Sequence, residues 1–190
     1  MRAFIALPVA SEVQEKLRGV IAELDRALPR GAVKWSRADQ IHITLRFLGS
    51  VPDTAPDEIA ARLRTATAGV GSLSLRAEQF GAFPDLDRAR VLWVGVTGDI
   101  EAARELQRRI TEATAAFGDK EEREFSPHLT LGRVKNLPPL EVRRMKEVLL
   151  QFRVDDLGGW MANRVQLMRS ELSPGGSRYT ELAAIPLAAT

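Results

Sequence analysis

The sequence predicts one domain of mixed strands and helices, folded as two pseudo-symmetric lobes around a cleft. Three observations support this prediction. The chain has 190 residues, 45% of them hydrophobic and 27% charged, which is the composition of an ordinary globular protein. Strand and helix patterns alternate in an order that occurs twice. The chain's two histidines, His42 and His128, stand in the same four-residue context, His-x-Thr-Leu.

The chain opens with a predicted strand and helix. Residues 4–9, FIALPV, form a short apolar run typical of a buried strand. Ser11 is predicted to cap the following helix, and Gln14 completes a capping box. Apolar residues then recur every three or four positions until Pro29 and Gly31 end the helix.

The first motif strand is predicted at residues 41–47, after a short extended stretch at 33–36. Alternation of side chains predicts two distinct faces. One face carries Ile41, Ile43, Leu45 and Phe47, and the other carries His42, Thr44 and Arg46. A helix around residues 56–68 and a strand at 72–80 complete the first half.

The second half repeats the order and ends with one extra strand. Asp99 is predicted to cap a helix that runs to Phe117, with Gly118 as its stop. The remaining predictions are a loop at 81–90, a strand at 91–96, a solvated charge run at 119–124, the second motif strand at 128–134, a helix at 138–152, and strands at 164–172 and 178–187 joined by a hairpin turn at 173–177.

This repetition predicts an internal duplication with approximate repeats at residues 1–80 and 90–187, within a single two-lobed domain spanning 1–190. Equivalent strands would then present equivalent residues towards a shared cleft. On each motif strand, histidine and threonine share a face, because strand side chains alternate with period two. Two imidazoles and two hydroxyls would therefore converge on one small volume.

Two opposed imidazoles suit in-line attack at phosphorus. Near neutral pH one can accept a proton from the attacking oxygen while the other gives a proton to the leaving oxygen. Threonine hydroxyls can donate hydrogen bonds to the non-bridging oxygens, and a nearby arginine strengthens that stabilisation. A histidine on a strand is more often structural, but the shared context of both favours the catalytic interpretation.

The composition argues against metal and membrane functions. The chain has no cysteine, so disulfides and thiolate sites are excluded and a reducing cytoplasm is expected. A zinc site would need carboxylates near both motifs, and neither motif contains one. We therefore expect no metal and no cofactor. The apolar runs are too short to span a membrane, and a monomer is expected.

The motifs also resemble a known family. The segments VKWSRADQIHITLRFLGSV, FSPHLTLGRV and MRSELSPGGSRYTEL are similar to those of the 2H phosphoesterases, and within them to the RNA 2′,3′-cyclic phosphodiesterases known as 2′-5′ RNA ligases. The resemblance covers nearly the whole chain. It implies an α+β fold with an antiparallel sheet in each lobe and the active-site cleft between them.

The resemblance further implies a reaction and roles. The substrate would be RNA with a 2′,3′-cyclic phosphate end, tRNA halves among them, and the product a 2′-phosphate; reversible 2′-5′ ligation is also implied. His42 would be the proton donor and His128 the proton acceptor, with Thr44 and Thr130 binding the phosphate. The sequence alone does not distinguish the two histidine roles.

Five further residues are candidates for substrate contacts. Arg46 is predicted on the histidine face, whereas alternation puts Arg133 on the face opposite His128. Trp35, Phe83 and Tyr179 could stack on a base. For Trp93, a place in the core is expected.

Two other functions stay open at this stage. One is a cyclic phosphodiesterase acting on small nucleotides or on ADP-ribose cyclic phosphate. The other is a non-catalytic module whose histidines only bind RNA or a nucleotide. A basic groove leading from the cleft would favour RNA, and paired acid and base positions argue against a module that only binds.

Overall fold

The computed structural model describes residues 1–118, 124–173 and 176–188. Most of the predicted charge run at 119–124 lies outside these residues. The centre of the predicted hairpin turn, residues 174–175, lies outside them as well.

The described residues form four α-helices and nine strands. The strands are β1 (Arg2–Pro8), β2 (Val33–Trp35), β3 (His42–Ser50), β4 (Leu73–Phe83), β5 (Val91–Gly98), β6 (His128–Val134), β7 (Gly159–Ala162), β8 (Arg164–Ser173) and β9 (Gly176–Pro186). The helices are α1 (Ser11–Ala27), α2 (Pro56–Thr67), α3 (Ile100–Ala113) and α4 (Pro139–Gln151). Strand β7 was not predicted, and β4 extends three residues into the predicted loop.

The strands form two antiparallel sheets, which confirms the predicted α+β fold. Sheet A has the order β3-β1-β8-β9, and sheet B has the order β2-β6-β5-β4-β7. All neighbouring strands in both sheets run antiparallel. Helices α2 and α3 pack on each other, and α2 also packs on the β8 and β9 strands of sheet A.

The two lobes do not correspond to the two halves of the chain. Sheet A takes β1 and β3 from the first half and β8 and β9 from the second. Sheet B takes β2 and β4 from the first half and β5, β6 and β7 from the second. The orders β3-β1-β8 and β6-β5-β4 correspond to each other, and the last strand of each predicted repeat has joined the opposite sheet.

A β-bulge interrupts each motif strand at the same position. Against β1, Thr44 pairs with Ala6 and Arg46 pairs with Ile5, so Leu45 has no partner in the register. Against β5, Thr130 and Gly132 are paired and Leu131 is passed over. An extra residue reverses the faces that follow it, so strict alternation fails beyond each bulge.

The bulge at Leu45 removes Arg46 from the histidine face, contrary to the prediction. Arg46 is 2% exposed, and its guanidinium donates to the carbonyl oxygens of Thr111 (2.6 Å) and Phe117 (3.0 Å) and to the hydroxyl of Thr114 (2.6 Å). It therefore binds the chain at the end of α3. The same shift brings Phe47 to the surface, where it is 58% exposed.

Three details at helix ends also differ from the predictions. Helix α1 begins at Ser11 itself, after Ala10, and the Ser11 hydroxyl bonds the Glu12 carboxylate instead of capping the helix. The Asp99 side chain accepts a hydrogen bond from the Ser74 amide. Helix α3 ends at Ala113, four residues before the predicted end, and Arg46 donates to the Thr111 carbonyl in its final turn.

The core is continuous between the two sheets and their helices. It includes Ile5 and Leu7 of β1, Leu17 of α1 and Leu92 of β5, all 0% exposed. In the part of the chain that the structure describes, no helix is long and apolar enough to cross a membrane.

Candidate active site

His42 and His128 have the same local geometry. In each ring Nδ1 lies close to the backbone carbonyl oxygen two residues earlier, at 2.8 Å from Gln40 and 2.7 Å from Ser126. A carbonyl can only accept, so Nδ1 carries a proton and donates it in both rings. This bond fixes the tautomer and leaves Nε2 of each imidazole to gain or lose a proton.

The two motif strands approach each other between the sheets. Strand β3 lies on the edge of sheet A and contacts β6 of sheet B. Burial lowers the pKa of His42; the hydrogen bond to Gln40 opposes this effect, and the charge of His128 lowers the pKa further. The two imidazoles are therefore within electrostatic range of each other.

Burial also lowers the pKa of His128. The hydrogen bond to Ser126 raises it in part, and the positive charge of Arg133 lowers it. Arg133 thus favours the neutral form of His128, which is the form that accepts a proton.

Aromatic side chains surround His42 on sheet A. The buried ring of Phe4 stacks on the imidazole, with a centroid distance of 4.7 Å and an interplanar angle of 25°. Tyr179 contacts the imidazole edge-on at 5.4 Å and Phe4 at 4.9 Å. Tyr179, one of the predicted candidates, therefore lies beside His42. The stacked ring of Phe4 fixes the plane of the His42 imidazole.

His128 has aromatic neighbours on sheet B. Phe83 meets the imidazole edge-on, with a centroid distance of 4.9 Å, and Trp93 lies at 6.4 Å. The Trp93 ring covers Gly81, where a Cβ atom would lie 2.2 Å from the indole. Phe83 therefore lies beside His128. Trp93 faces the site too, whereas a place in the core was expected.

The predicted threonines share the histidine faces. Thr44 pairs across the sheet with Ala6, in line with His42 and Pro8, and it is half-buried. Thr130 is half-buried and pairs with Trp93, a neighbour of His128. Cross-strand partners project from the same face, so each sheet offers an imidazole and a hydroxyl together.

Arg133 lies on the same face as His128, contrary to the prediction. It pairs with Val91, which is two residues from Trp93 on β5 and therefore shares its face. The bulge at Leu131 is the reason, since it reverses the alternation between Thr130 and Arg133.

Trp35 does not lie on the histidine face. It pairs with Gly132, whose hydrogen atom faces the Trp35 ring, and the indole N–H donates to the Asp25 carboxylate of α1 at 2.6 Å. Its ring therefore packs towards α1, on the face of sheet B opposite to His128. Of the five secondary candidates, Arg133, Phe83 and Tyr179 lie near a histidine, and Arg46 and Trp35 do not.

The sequence reasoning missed Phe4 and Lys34 at the site. Phe4 lies in a run that is apolar at every position, so no alternation distinguished its face from that of Ile5. Lys34 pairs directly with Arg133 and shares the His128 face. The face on which Lys34 lies follows from the bulge in β6, which the sequence pattern does not reveal.

Family comparison agrees with this geometry. The model of the 2′-5′ RNA ligase superfamily matches residues 10–173. The chain belongs to the 2′-5′ RNA ligase superfamily. Its membership confirms the resemblance to 2H phosphoesterases that the two motifs predicted.

Relatives in this superfamily match over most of the chain. A protein of Archaeoglobus fulgidus named RNA 2′,3′-cyclic phosphodiesterase is 31% identical over 182 residues, covering 96% of this chain and 98% of the relative. A protein of the same name from Aeropyrum pernix is 34% identical over 158 residues, covering 80% and 85%.

Solved structures of other proteins share the fold. TT0787 of Thermus thermophilus has a TM-score of 0.78 at 24% identity, covering 100% of this chain and 99% of the other. E. coli LigT complexed with 3′-AMP has a TM-score of 0.72 at 22% identity, covering 98% and 97%. The chain therefore shares its two-lobed architecture with these two proteins.

Proposed function

We propose that this chain hydrolyses 2′,3′-cyclic phosphate ends of RNA to 2′-phosphates, with His42 as the proton donor and His128 as the proton acceptor. The observation that carries the proposal is the matched pair of imidazoles on contacting strands, each with Nδ1 bound to a carbonyl. Support also comes from relatives named RNA 2′,3′-cyclic phosphodiesterase at up to 34% identity.

The proposed reaction is a single displacement at phosphorus. Nε2 of neutral His128 takes a proton from water as the water oxygen bonds to phosphorus. The bond from phosphorus to the 3′ oxygen breaks, and Nε2 of protonated His42 gives that oxygen its proton. The phosphate stays on the 2′ oxygen. One proton has moved from water to His128, and one has moved from His42 to the 3′ oxygen.

The threonine hydroxyls would stabilise the charge that builds on the non-bridging oxygens. Thr44 and Thr130 can each donate one hydrogen bond from opposite sheets. Burial favours the neutral form of His128 that the reaction requires, and the positive charge of Arg133 adds to this effect. Phe4 and Tyr179 would orient the His42 ring through their contacts.

Ligation through a 2′-5′ linkage uses the same groups. The 5′ hydroxyl of a second RNA takes the place of water, loses its proton to His128 and bonds to phosphorus, while His42 protonates the 3′ oxygen. In the reverse direction the 3′ oxygen attacks the 2′-5′ phosphodiester through the same transition state, with His42 accepting the proton and His128 donating one to the leaving 5′ oxygen.

The test is an assay with a short RNA that ends in a 2′,3′-cyclic phosphate. We expect a 2′-phosphate product, identified by ³¹P NMR, and loss of product with either His42→Ala or His128→Ala. A 3′-phosphate product, or turnover that survives both substitutions, would contradict the proposal.

The same assay after exhaustive EDTA treatment tests for metal dependence. Full activity is expected, because the chain has no cysteine and neither motif has a carboxylate. Loss of turnover with EDTA, restored by a divalent cation, would show that the reaction needs a metal.

A further inference from the structure

We propose that Lys34 and Arg133, here called the cationic pair, form a second phosphate subsite that binds the internucleotide phosphate next to the RNA end. The inference rests on the proposed function and deepens it, since it makes an RNA chain, and not a mononucleotide, the preferred substrate.

The first argument is the register of sheet B. Lys34 of β2 pairs directly with Arg133 of β6, which pairs with Val91 of β5. Cross-strand partners project from one face, and this face also carries Thr130 and His128. The cationic pair therefore stands beside the proposed phosphate site.

The second argument is that these two like charges lie opposite each other without a carboxylate. Both side chains are exposed, and neither forms an ion pair or hydrogen bond with any residue that the structure describes. Other exposed arginines do form ion pairs, such as Arg37 with Asp39 and Arg108 with Glu112. Like charges placed directly opposite destabilise a sheet, and a bound anion would remove that cost.

The third argument is spacing. On β5, Val91, the partner of Arg133, lies two residues from Trp93, the partner of Thr130. Two residues correspond to about 7 Å along the strand. This is the scale on which one nucleotide separates neighbouring phosphates of an RNA backbone. A chain whose end lies between the histidines can thus place its next phosphate at the cationic pair.

The fourth argument is the asymmetry of the cleft. Relative to its bulge, Phe47 of sheet A occupies the position that Arg133 occupies in sheet B. The scaffold is the same, but one side presents an exposed ring and the other presents positive charge. The phosphate backbone of a bound RNA would therefore lie along the sheet B side of the cleft, where the positive charge is.

The test compares two dinucleotide substrates that end in a 2′,3′-cyclic phosphate. One has an ordinary phosphodiester linkage, and the other has a neutral methylphosphonate linkage of the same shape. We expect the wild-type chain to have the higher kcat/KM on the charged substrate. Lys34→Gln should reduce that preference about fivefold, the upper range for an exposed ionic contact.

Two variants and a salt series complete the test. Lys34→Arg should retain the preference, and Lys16→Gln, an exposed lysine of α1, should leave it unchanged. With Lys34→Gln, the slope of log kcat/KM against log salt for the charged substrate should become shallower by about 0.7, the value for one phosphate contact on a single strand.

The outcomes separate the two proposals. Equal kcat/KM of the wild-type chain on both substrates, or an equal loss on both with Lys34→Gln, would overturn the second subsite while leaving the proposed function intact. Hydrolysis of neither substrate by the wild-type chain would overturn the proposed function and this inference with it.

Discussion

At the scale of single residues, the proposed chemistry depends on two imidazoles whose tautomers are fixed in the same way. The carbonyl oxygens of Gln40 and Ser126 each accept the Nδ1–H of the histidine two residues later. Beyond these hydrogen bonds the surroundings of the two rings differ. The ring of Phe4 stacks on His42, and the charge of Arg133 acts on His128. Burial favours the neutral form of both imidazoles, and a positive charge adds to that effect in each case, from Arg133 at His128 and from His128 itself at His42. The assignment of donor and acceptor therefore rests on the family resemblance and is tested by the pH profiles of the two histidine variants.

The first prediction concerns the individual histidines. His42→Ala and His128→Ala should each lower kcat about a hundredfold or more, the usual contribution of a positioned acid or base. In pH profiles of the residual rate, His42→Ala should lose chiefly the alkaline limb, because the group that must be protonated is gone. His128→Ala should lose chiefly the acidic limb.

The reversed pattern would contradict this assignment of the two roles. If His42→Ala still loses rate towards alkaline pH and no longer loses it towards acid, then His42 is the acceptor and the two roles are exchanged.

The second prediction places the pH optimum. Burial lowers the pKa of both imidazoles below the usual value of about 6.5. The acidic limb follows the acceptor and the alkaline limb follows the donor, so both limbs of kcat/KM move to lower pH and the maximum lies below pH ~6.5. The limbs report the coupled pair and not either residue alone.

Bound substrate should move the profile in the other direction. The negative charge of the cyclic phosphate favours both protonated imidazoles, so the kcat profile should lie alkaline of the kcat/KM profile. Steady-state kinetics between pH 5 and pH 9, about two units to each side of neutrality, measure both. A kcat/KM maximum clearly above neutrality would contradict the burial argument.

At the scale of elements, the β-bulges decide which side chains reach the site. Sequence patterns predicted the faces of His42 and Thr44, because both precede the bulge at Leu45. They failed for Arg46 and Arg133, because an inserted residue leaves no mark in an apolar alternation. Each bulge depends on the pairing of its strand with β1 or β5, which is a non-local property.

The third prediction concerns Arg46, which joins β3 to the end of α3. Arg46→Met should destabilise the chain by about 2–3 kcal/mol, because it leaves the partly buried carbonyl oxygens of Thr111 and Phe117 without this donor. The kcat should change little, since Arg46 does not share the histidine face. Urea unfolding and the hydrolysis assay measure the two effects.

Arg18→Met is the matched control for that experiment. Arg18 forms an exposed ion pair with Glu15, and its loss should change stability by less than about 0.5 kcal/mol. A small effect of Arg46→Met on stability together with a large effect on kcat would show that Arg46 acts in the active-site cleft and not at the end of α3.

The fourth prediction compares two glycines. A Cβ at Gly132, directly after the bulge of β6, would lie 2.6 Å from Val33 and 2.9 Å from the Trp35 ring. Gly132→Ala should therefore push β2 from β6 and destabilise the chain by about 1–3 kcal/mol. Gly19, inside α1, has nothing within 4 Å of its Cβ position. Gly19→Ala should stabilise the chain by about 0.5–1 kcal/mol.

Thermal or urea unfolding of the two variants checks this prediction. Equal effects of the two substitutions would mean that β2 can shift without cost. In that case the packing of Trp35 against Gly132 would not be what holds the edge strand.

At the scale of the whole molecule, the two lobes are joined by exchange of strands. The repeated element order predicted two lobes, but it did not predict that β4 and β8 would each join the sheet of the other half. Sequence periodicity reports local structure and carries no information on which sheet a terminal strand of a repeat joins. As a consequence, neither half of the chain contains a complete sheet.

The last prediction follows from this exchange. A chain of 190 residues with two lobes would ordinarily be a candidate for stepwise unfolding. Here sheet A cannot lose β8 without disturbing the chain that continues from β7 of sheet B, and sheet B cannot lose β4 without disturbing α2 on sheet A. Both lobes should therefore unfold in one transition.

The tryptophans make the prediction measurable. All three of them, Trp35, Trp93 and Trp160, lie in strands of sheet B, so tryptophan fluorescence reports that lobe. Far-UV circular dichroism reports the strands and helices of both lobes. In urea, the two signals should give the same midpoint and the same slope, because coincident transitions are the signature of two-state unfolding. A fluorescence transition clearly separated from the dichroism transition would show that the lobes unfold independently, and that the exchange of strands does not couple them.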